Sequence, residues 1–172
     1  MGCLFGAYLS KQNRVTLTDV FEDQVKAINE KGITVLEQDG ETHYTANLQA
    51  IRSGAPASVQ DLVIIFVKNT QTDDAMQSVL SMIGENTLLL TLQNGAGNDR
   101  IISKYLPDRQ IVVGTTKHNS VNLGNATVRH GVVGDTTVGS LVGNREAAQA
   151  IADIFNECGI RTAIDDDINR II

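Results

Sequence analysis

The sequence predicts an α/β protein built on a doubly wound, mainly parallel sheet, and three observations carry that prediction. Short apolar or β-branched runs alternate with stretches of helical apolar spacing along most of the 172 residues. One run, DLVIIFVK from Asp61 to Lys68, is apolar almost without a break, as in a strand covered on both faces. Polar and glycine-bearing segments follow the runs directly, where doubly wound sheets hold their ligands. The length suits one domain, residues 1–172.

MGCLFGAYLS reads as an apolar helix, with Gly2 and Gly6 four apart. Glycine inside a helix costs about 1 kcal/mol relative to alanine, so the pair implies close approach to this backbone. RVTLTD is a strand, and FEDQVKAINEKG a helix with Phe21, Val25 and Ile28 on one face and Gly32 as its stop. ITVLEQDGETHYTA places a turn, Asp39 and Gly40, between two strand-like pieces. SGAPAS, residues 53–58, is a loop. After DLVIIFVK, Thr70 and Asp73 have capping-box spacing, and Met76, Val79, Leu80 and Ile83 line a helix that runs to Gly84. NTLLLTLQNGAGN repeats the scheme: strand, glycine turn, then a helix through Ile101 and Ile102. IVVGTTKHNS is a strand with a polar end. Short strands (Ala126 to His130, Thr136 to Leu141) follow. A helix with Ala147, Ile151, Ile154, Phe155 and Cys158 on one face then stops at Gly159, before a last strand RTAI.

A net charge of −6 and a pI near 4.9 argue against nucleic acid or an anionic membrane as the main partner, since both require a basic surface. Cys3 and Cys158 stand far apart in apolar surroundings without metal-ligand spacing, and read as buried thiols. No apolar run approaches the ~20 residues of a membrane span, and the start lacks a basic leader, so a cytoplasmic protein is expected.

The expected strand ends carry Asp19, Lys68 with Asn69, Gln93 with Asn94 and Gly95, and Thr115 to Ser120. These groups hydrogen-bond; they do not include a serine elbow, a cysteine beside a base or a carboxylate pair. A cofactor that brings its own chemistry is therefore favoured. In a dinucleotide site, glycines at a strand-to-helix turn admit the pyrophosphate to the helix N-terminus, and an acid about 20 residues on takes the ribose hydroxyl. MGCLFG supplies the helical end of such a turn and Asp19 has the offset.

MGCLFG, VTLTD, IIFVKNTQT, LQNGAGN, GTTKHNS and VRHG, in this order, resemble the ketopantoate reductase family, the 2-dehydropantoate 2-reductases and their 2-hydroxyacid dehydrogenase relatives. The resemblance covers essentially the whole chain and only the family's N-terminal Rossmann-like, NAD(P)-binding domain. It implies hydride transfer from NAD(P)H to a 2-keto acid, giving a 2-hydroxy acid, as in pantothenate biosynthesis. Gly2 looks like the third glycine of the family's fingerprint. The strand and two glycines that precede it in the family are missing here, as is the helical domain that follows DDDINRII and carries the proton-donating lysine.

Each site residue has two readings. Asp19 is a helix cap or the ribose acceptor. Lys68 is a solvated strand end or, by resemblance, the lysine near the nicotinamide. Asn94 is half of an Asn-Gly turn or, by resemblance, the residue that orients both substrate and cofactor. Ser120 falls where the family's loop contributes a backbone contact to the cofactor. The cofactor-binding set is thus Gly2, Asp19, Lys68, Asn94 and Ser120, with Asn94 the catalytic candidate and no metal site. His118 reads as structural, His43 and His130 as surface or core-edge residues, and Asp167, last of three acids, as a helix cap. With Val20 and Phe21 rather than arginine beside it, Asp19 favours NAD(H) over NADP(H). The partners expected are the dinucleotide, a small 2-keto acid and a second copy of the chain, paired through strand edges left open by the missing strand. The alternative is a truncated, non-catalytic remnant that self-associates and binds no nucleotide. The chain alone is expected to bind NADH weakly and to reduce no keto acid.

Overall fold

The computed structural model describes residues 1–40, 43–94 and 97–170. In chain order the elements are α1 (Gly2–Leu9), β1 (Thr16–Asp19), α2 (Glu22–Lys31), β2 (Ile33–Leu36), β3 (His43–Ala46), β4 (Gln49–Arg52), β5 (Leu62–Ile65), α3 (Thr72–Val79), β6 (Leu88–Thr91) and α4 (Asn98–Ile102). They continue with β7 (Ile111–Thr116), β8 (Asn119–Gly124), β9 (Thr127–Val132), β10 (Thr136–Ser140), α5 (Arg145–Glu157) and β11 (Thr162–Ile164). Two compact units divide them. The first holds residues 1–53, 117–135 and 154–161, and the second residues 54–116, 136–153 and 162–172.

In the first unit β1 pairs in parallel with β4, from Thr16 opposite Gln49 to Asp19 opposite Arg52. A second sheet has the order β3-β2-β9-β8, with β2 and β9 parallel and both outer pairs antiparallel. Leu4 and Ala7 of α1 and Ile28 of α2 are buried with Ile33, Val35, Ala46, Ala50, Ala126 and Val128 in one apolar core. The two glycines of α1 differ. A Cβ on Gly6 would stand 3.0 Å from Leu17 Cδ2, so Gly6 lets the helix lie close on β1, whereas a Cβ on Gly2 would meet nothing within 4 Å. Helix α2 has Glu22 and Asp23 in its first turn and Lys31 in its last, matching its dipole. It ends at Gly32, whose φ of 73° and 2.5 Å from a built Cβ to Ala46 O together require glycine.

In the second unit the sheet order is β11-β10-β7-β6-β5. Strands β5, β6 and β7 are parallel, β10 is antiparallel to β7, and β11 is parallel to β10. The fold is therefore mixed α/β, mainly parallel and Rossmann-like. Strand β1 lies at the edge of its two-stranded sheet, and β5 at the edge of the five-stranded one.

The DLVIIFVK segment forms only four strand residues, and they alternate half-buried with buried. One face of this edge strand stays half-exposed, and the strands buried on both faces over most of their length are β6 and β7 instead. Thr70 and Asp73 make no capping box. The helix begins at Thr72 after a 3₁₀ turn (Asn69–Gln71), no side chain caps it, and the Thr72 hydroxyl bonds the Asn69 carbonyl at 2.9 Å. A second 3₁₀ turn, Leu80–Met82, closes it.

Candidate functional site

Gly2, Asp19 and Ser120 belong to the first unit. Gly2 is the first residue of α1, whose N-terminus has no side-chain cap among the described residues. With open space where its Cβ would be, that helix end presents backbone N–H groups to whatever approaches. Ser120 pairs with His130 in the β8–β9 ladder, and its hydroxyl donates to the Met1 sulfur at 3.3 Å, which sets it beside the start of α1. Asp19 ends β1. Its Oδ1 accepts the Phe21 N–H at 2.9 Å in an Asx-type turn, while Phe21 itself is the residue that precedes α2. Asp19 is thus the turn former ahead of the helix rather than its cap. Val20 and Phe21 beside it are 64% and 72% exposed, a large apolar surface next to a carboxylate.

Lys68 and Asn94 belong to the second unit, past the carboxyl ends of the adjacent parallel strands β5 and β6, and both are exposed. One residue ties their segments together. The Gln93 carboxamide donates to Val67 O at 2.7 Å and to Thr72 Oγ1 at 2.9 Å, and accepts the Thr91 hydroxyl at 3.0 Å. Asn98 Oδ1 lies 2.9 Å from Thr72 Oγ1, which brings α4 into the same network. The Lys68 carbonyl accepts the Gln71 N–H at 2.8 Å. Gly95, the second half of the expected Asn-Gly turn, lies outside the described residues. Gly97, which opens α4, has a φ of 94°.

The histidines hold the main surprise. His130, expected at the surface or core edge, is completely buried. Its Nδ1 lies 2.9 Å from Glu37 Oε2 and 3.2 Å from the Tyr8 hydroxyl, which itself donates to Glu37 Oε1 at 2.8 Å. Its Nε2 meets His118 Nδ1 at 2.9 Å, with the rings stacked at 28°. Burial of an imidazole is tolerable only when both nitrogens have partners, and that pairing explains the location. The cluster joins α1, the end of β2 and β9. Burial, then Glu37, pushes the Tyr8 phenol up from its ordinary range, while burial and His130 push the His118 imidazole down. His43 opens β3; its side chain lies outside the described residues.

Asp165, Asp166 and Asp167 do different jobs. Asp165 Oδ1 accepts the Asp167 N–H at 2.8 Å, Asp166 pairs with Arg145, and Asp167, directly ahead of the 3₁₀ turn Ile168–Arg170, pairs with Arg170. Among the described residues no group of three or more histidine, cysteine or acidic side chains is arranged to hold a metal, and Cys3 and Cys158 are free thiols. No described helix is long and apolar enough to cross a membrane.

The fold and these strand ends define an α/β protein of the Rossmann-like class, and comparison with known proteins narrows the class. Residues 1–143 match the family described as Ketopantoate reductase PanE/ApbA. A 2-dehydropantoate 2-reductase of Streptococcus pyogenes serotype M3 is 32% identical over 170 residues, which is 98% of this chain and 54% of that protein. The 2-dehydropantoate 2-reductase of Lactococcus lactis is 32% identical over 177 residues, 100% of this chain and 56% of its own length. Among solved structures, a putative 2-dehydropantoate 2-reductase from Enterococcus faecalis superposes with a TM-score of 0.91 at 25% identity, covering 99% of this chain and 55% of that one. D-mandelate dehydrogenase, in a ternary structure with NADH and anilino(oxo)acetate, gives 0.90 at 29%, covering 96% and 54%. This chain belongs to the ketopantoate reductase family. It spans about half the length of the relatives it matches.

Proposed function

We propose that residues 1–172 act as one NAD(P)-binding domain of a 2-dehydropantoate 2-reductase-like oxidoreductase that reduces a 2-keto acid to a 2-hydroxy acid. The observation that carries this reading is the pair of exposed polar side chains, Lys68 and Asn94, past the carboxyl ends of adjacent parallel strands, where such sheets hold ligands. The related D-mandelate dehydrogenase, with NADH and anilino(oxo)acetate bound, supports it. When bound, the dinucleotide supplies the hydride.

This chain's own residues bind and orient. Gly2 leaves the first N–H groups of α1 open to a phosphate, and Asp19 offers its second carboxylate oxygen to a ribose hydroxyl. Ser120 lies beside that helix start. Lys68 and Asn94 hold the nicotinamide end, and Asn94 also grips the substrate. Because a carboxylate at position 19 repels a 2′-phosphate, NAD(H) is preferred over NADP(H). We place the protein in the cytoplasm as a homodimer.

Titration of the chain with NADH and NADPH, followed in amide NMR spectra, tests binding. Light scattering on the same sample tests the dimer. In a version carrying the C-terminal part found in its relatives, kcat/KM for a 2-keto acid should be higher with NADH, and Asp19→Ala should narrow the preference. A higher value with NADPH would overturn the cofactor assignment. Asn94→Ala should lower kcat/KM by ~1.5–3 kcal/mol with folding intact. A second reading, a non-catalytic domain that self-associates, draws support from the edge positions of β1 and β5. It predicts larger particles and spectra that neither dinucleotide changes.

A further inference from the structure

The Lys68 and Asn94 segments are separated by more than twenty residues of chain, yet a single carboxamide fixes one against the other. Gln93 immediately precedes Asn94. It uses both of its N–H groups on the other segment, donating to Val67 O at 2.7 Å and Thr72 Oγ1 at 2.9 Å. Its carbonyl is itself fixed by the Thr91 hydroxyl at 3.0 Å. On the receiving side, three successive carbonyls around Lys68 are all engaged: Val67 by Gln93, Lys68 by the Gln71 N–H, and Asn69 by the Thr72 backbone N–H. The backbone on both sides of Lys68 therefore has its carbonyls occupied, and the backbone before Asn94 is anchored to it. Thr91 is the buried last residue of β6, a strand paired on both sides, so the anchor rests on the end of the sheet rather than on the loop.

From this geometry we propose that Gln93 is a positioning residue, which sets the Asn94 carboxamide against the Lys68 amine and so tunes how the domain holds the nicotinamide end of its cofactor. The proposal rests on the functional reading above. The strand–strand ladder alone does not do this work. Pairing between β5 and β6 ends at Ile65 opposite Thr91, short of both functional residues, and the carboxamide continues the coupling beyond that point.

The test compares NADH with ADP-ribose, which lacks the nicotinamide, on the 172-residue chain, with amide NMR spectra reading weak as well as tight binding. For the unaltered chain, NADH should shift the Lys68 and Asn94 amide resonances and ADP-ribose should not, while both shift the resonances around Asp19. Gln93→Glu keeps the shape and replaces both donors by an acceptor facing a carbonyl. It should weaken NADH by about tenfold and leave ADP-ribose unchanged. Thr91→Val removes only the hydroxyl that orients the carboxamide and should act in the same direction, more weakly. It serves if Gln93→Glu fails to fold. Gln93→Asn, one methylene shorter, should not restore the wild-type ratio. Equal loss for both ligands, or an unchanged NADH to ADP-ribose ratio in Gln93→Glu and Thr91→Val, overturns the positioning role alone. If the unaltered chain responds to neither ligand, the functional reading falls and this proposal with it.

Discussion

His118 presents its ring to the edge of Phe5, with centroids 5.6 Å apart, and to the buried His130, while Asp135 and Glu37 oppose the shift that burial causes. The folded imidazole is therefore harder to protonate than the unfolded one, whose pKa is about 6.5. The sign follows: the unfolded chain binds more protons, so the stabilisation is complete above about pH 6.5 and is lost as the pH falls through the lower folded value. Thermal melts between pH 7 and 5 should show Tm falling, and His118→Gln should flatten that fall. A steeper fall in the variant would refute the sign. The sequence placed Asp19, Lys68 and Asn94 because each follows a recognisable apolar run. It could not place His130, because the partners that make its burial tolerable, Tyr8 and Glu37, stand 122 and 93 residues away.

At the level of elements, glycines distinguish fold from site. A Cβ on Gly114 would lie 2.3 Å from Thr137 O and 2.9 Å from Leu92 Cδ2, where β7 meets β10. Backbone cannot move aside there, so Gly114→Ala should destabilise the protein by about 3 kcal/mol, read from the denaturant midpoint. Gly2→Ala enters open space and should change stability by less than about 0.5 kcal/mol while weakening dinucleotide binding. A large loss of stability in Gly2→Ala would show that this glycine serves packing. Regular elements were legible wherever hydrophobic spacing is local, as in α2, α5 and β6. Two strands were not. Strand β4 owes its place to pairing with β1 and to Asn29, whose side chain satisfies both the N–H and the C=O of Ala50 at 2.8 Å. Strand β8, mostly exposed, follows from its hairpin with β9, turned by Asn125 and Ala126 at φ of 51° and 56°. Neither alanine nor the polar β8 announces such a turn in sequence.

For the molecule as a whole, the ladders set an order of protection. Strands β6 and β7 are paired on both sides and mostly buried, whereas β1 and β5 lie at sheet edges. Amide hydrogen exchange should be slowest in β6 and β7 and faster along β1 and β5, and equal protection would contradict this sheet order. The overall class was legible because alternating strand and helix patterns survive even in short elements; the division into two units was not, since each gathers three separate stretches of chain. That division has a consequence in time. The chain contributes to the first unit, leaves it at residue 53, re-enters at 117 and again at 154, so neither unit consists of one continuous segment. During synthesis, then, residues 1–53 must wait on the ribosome's later output for the strands that complete their sheet. The contacts that complete the first unit come late and span long stretches of chain, an arrangement for which slow folding is expected, and refolding kinetics would read it.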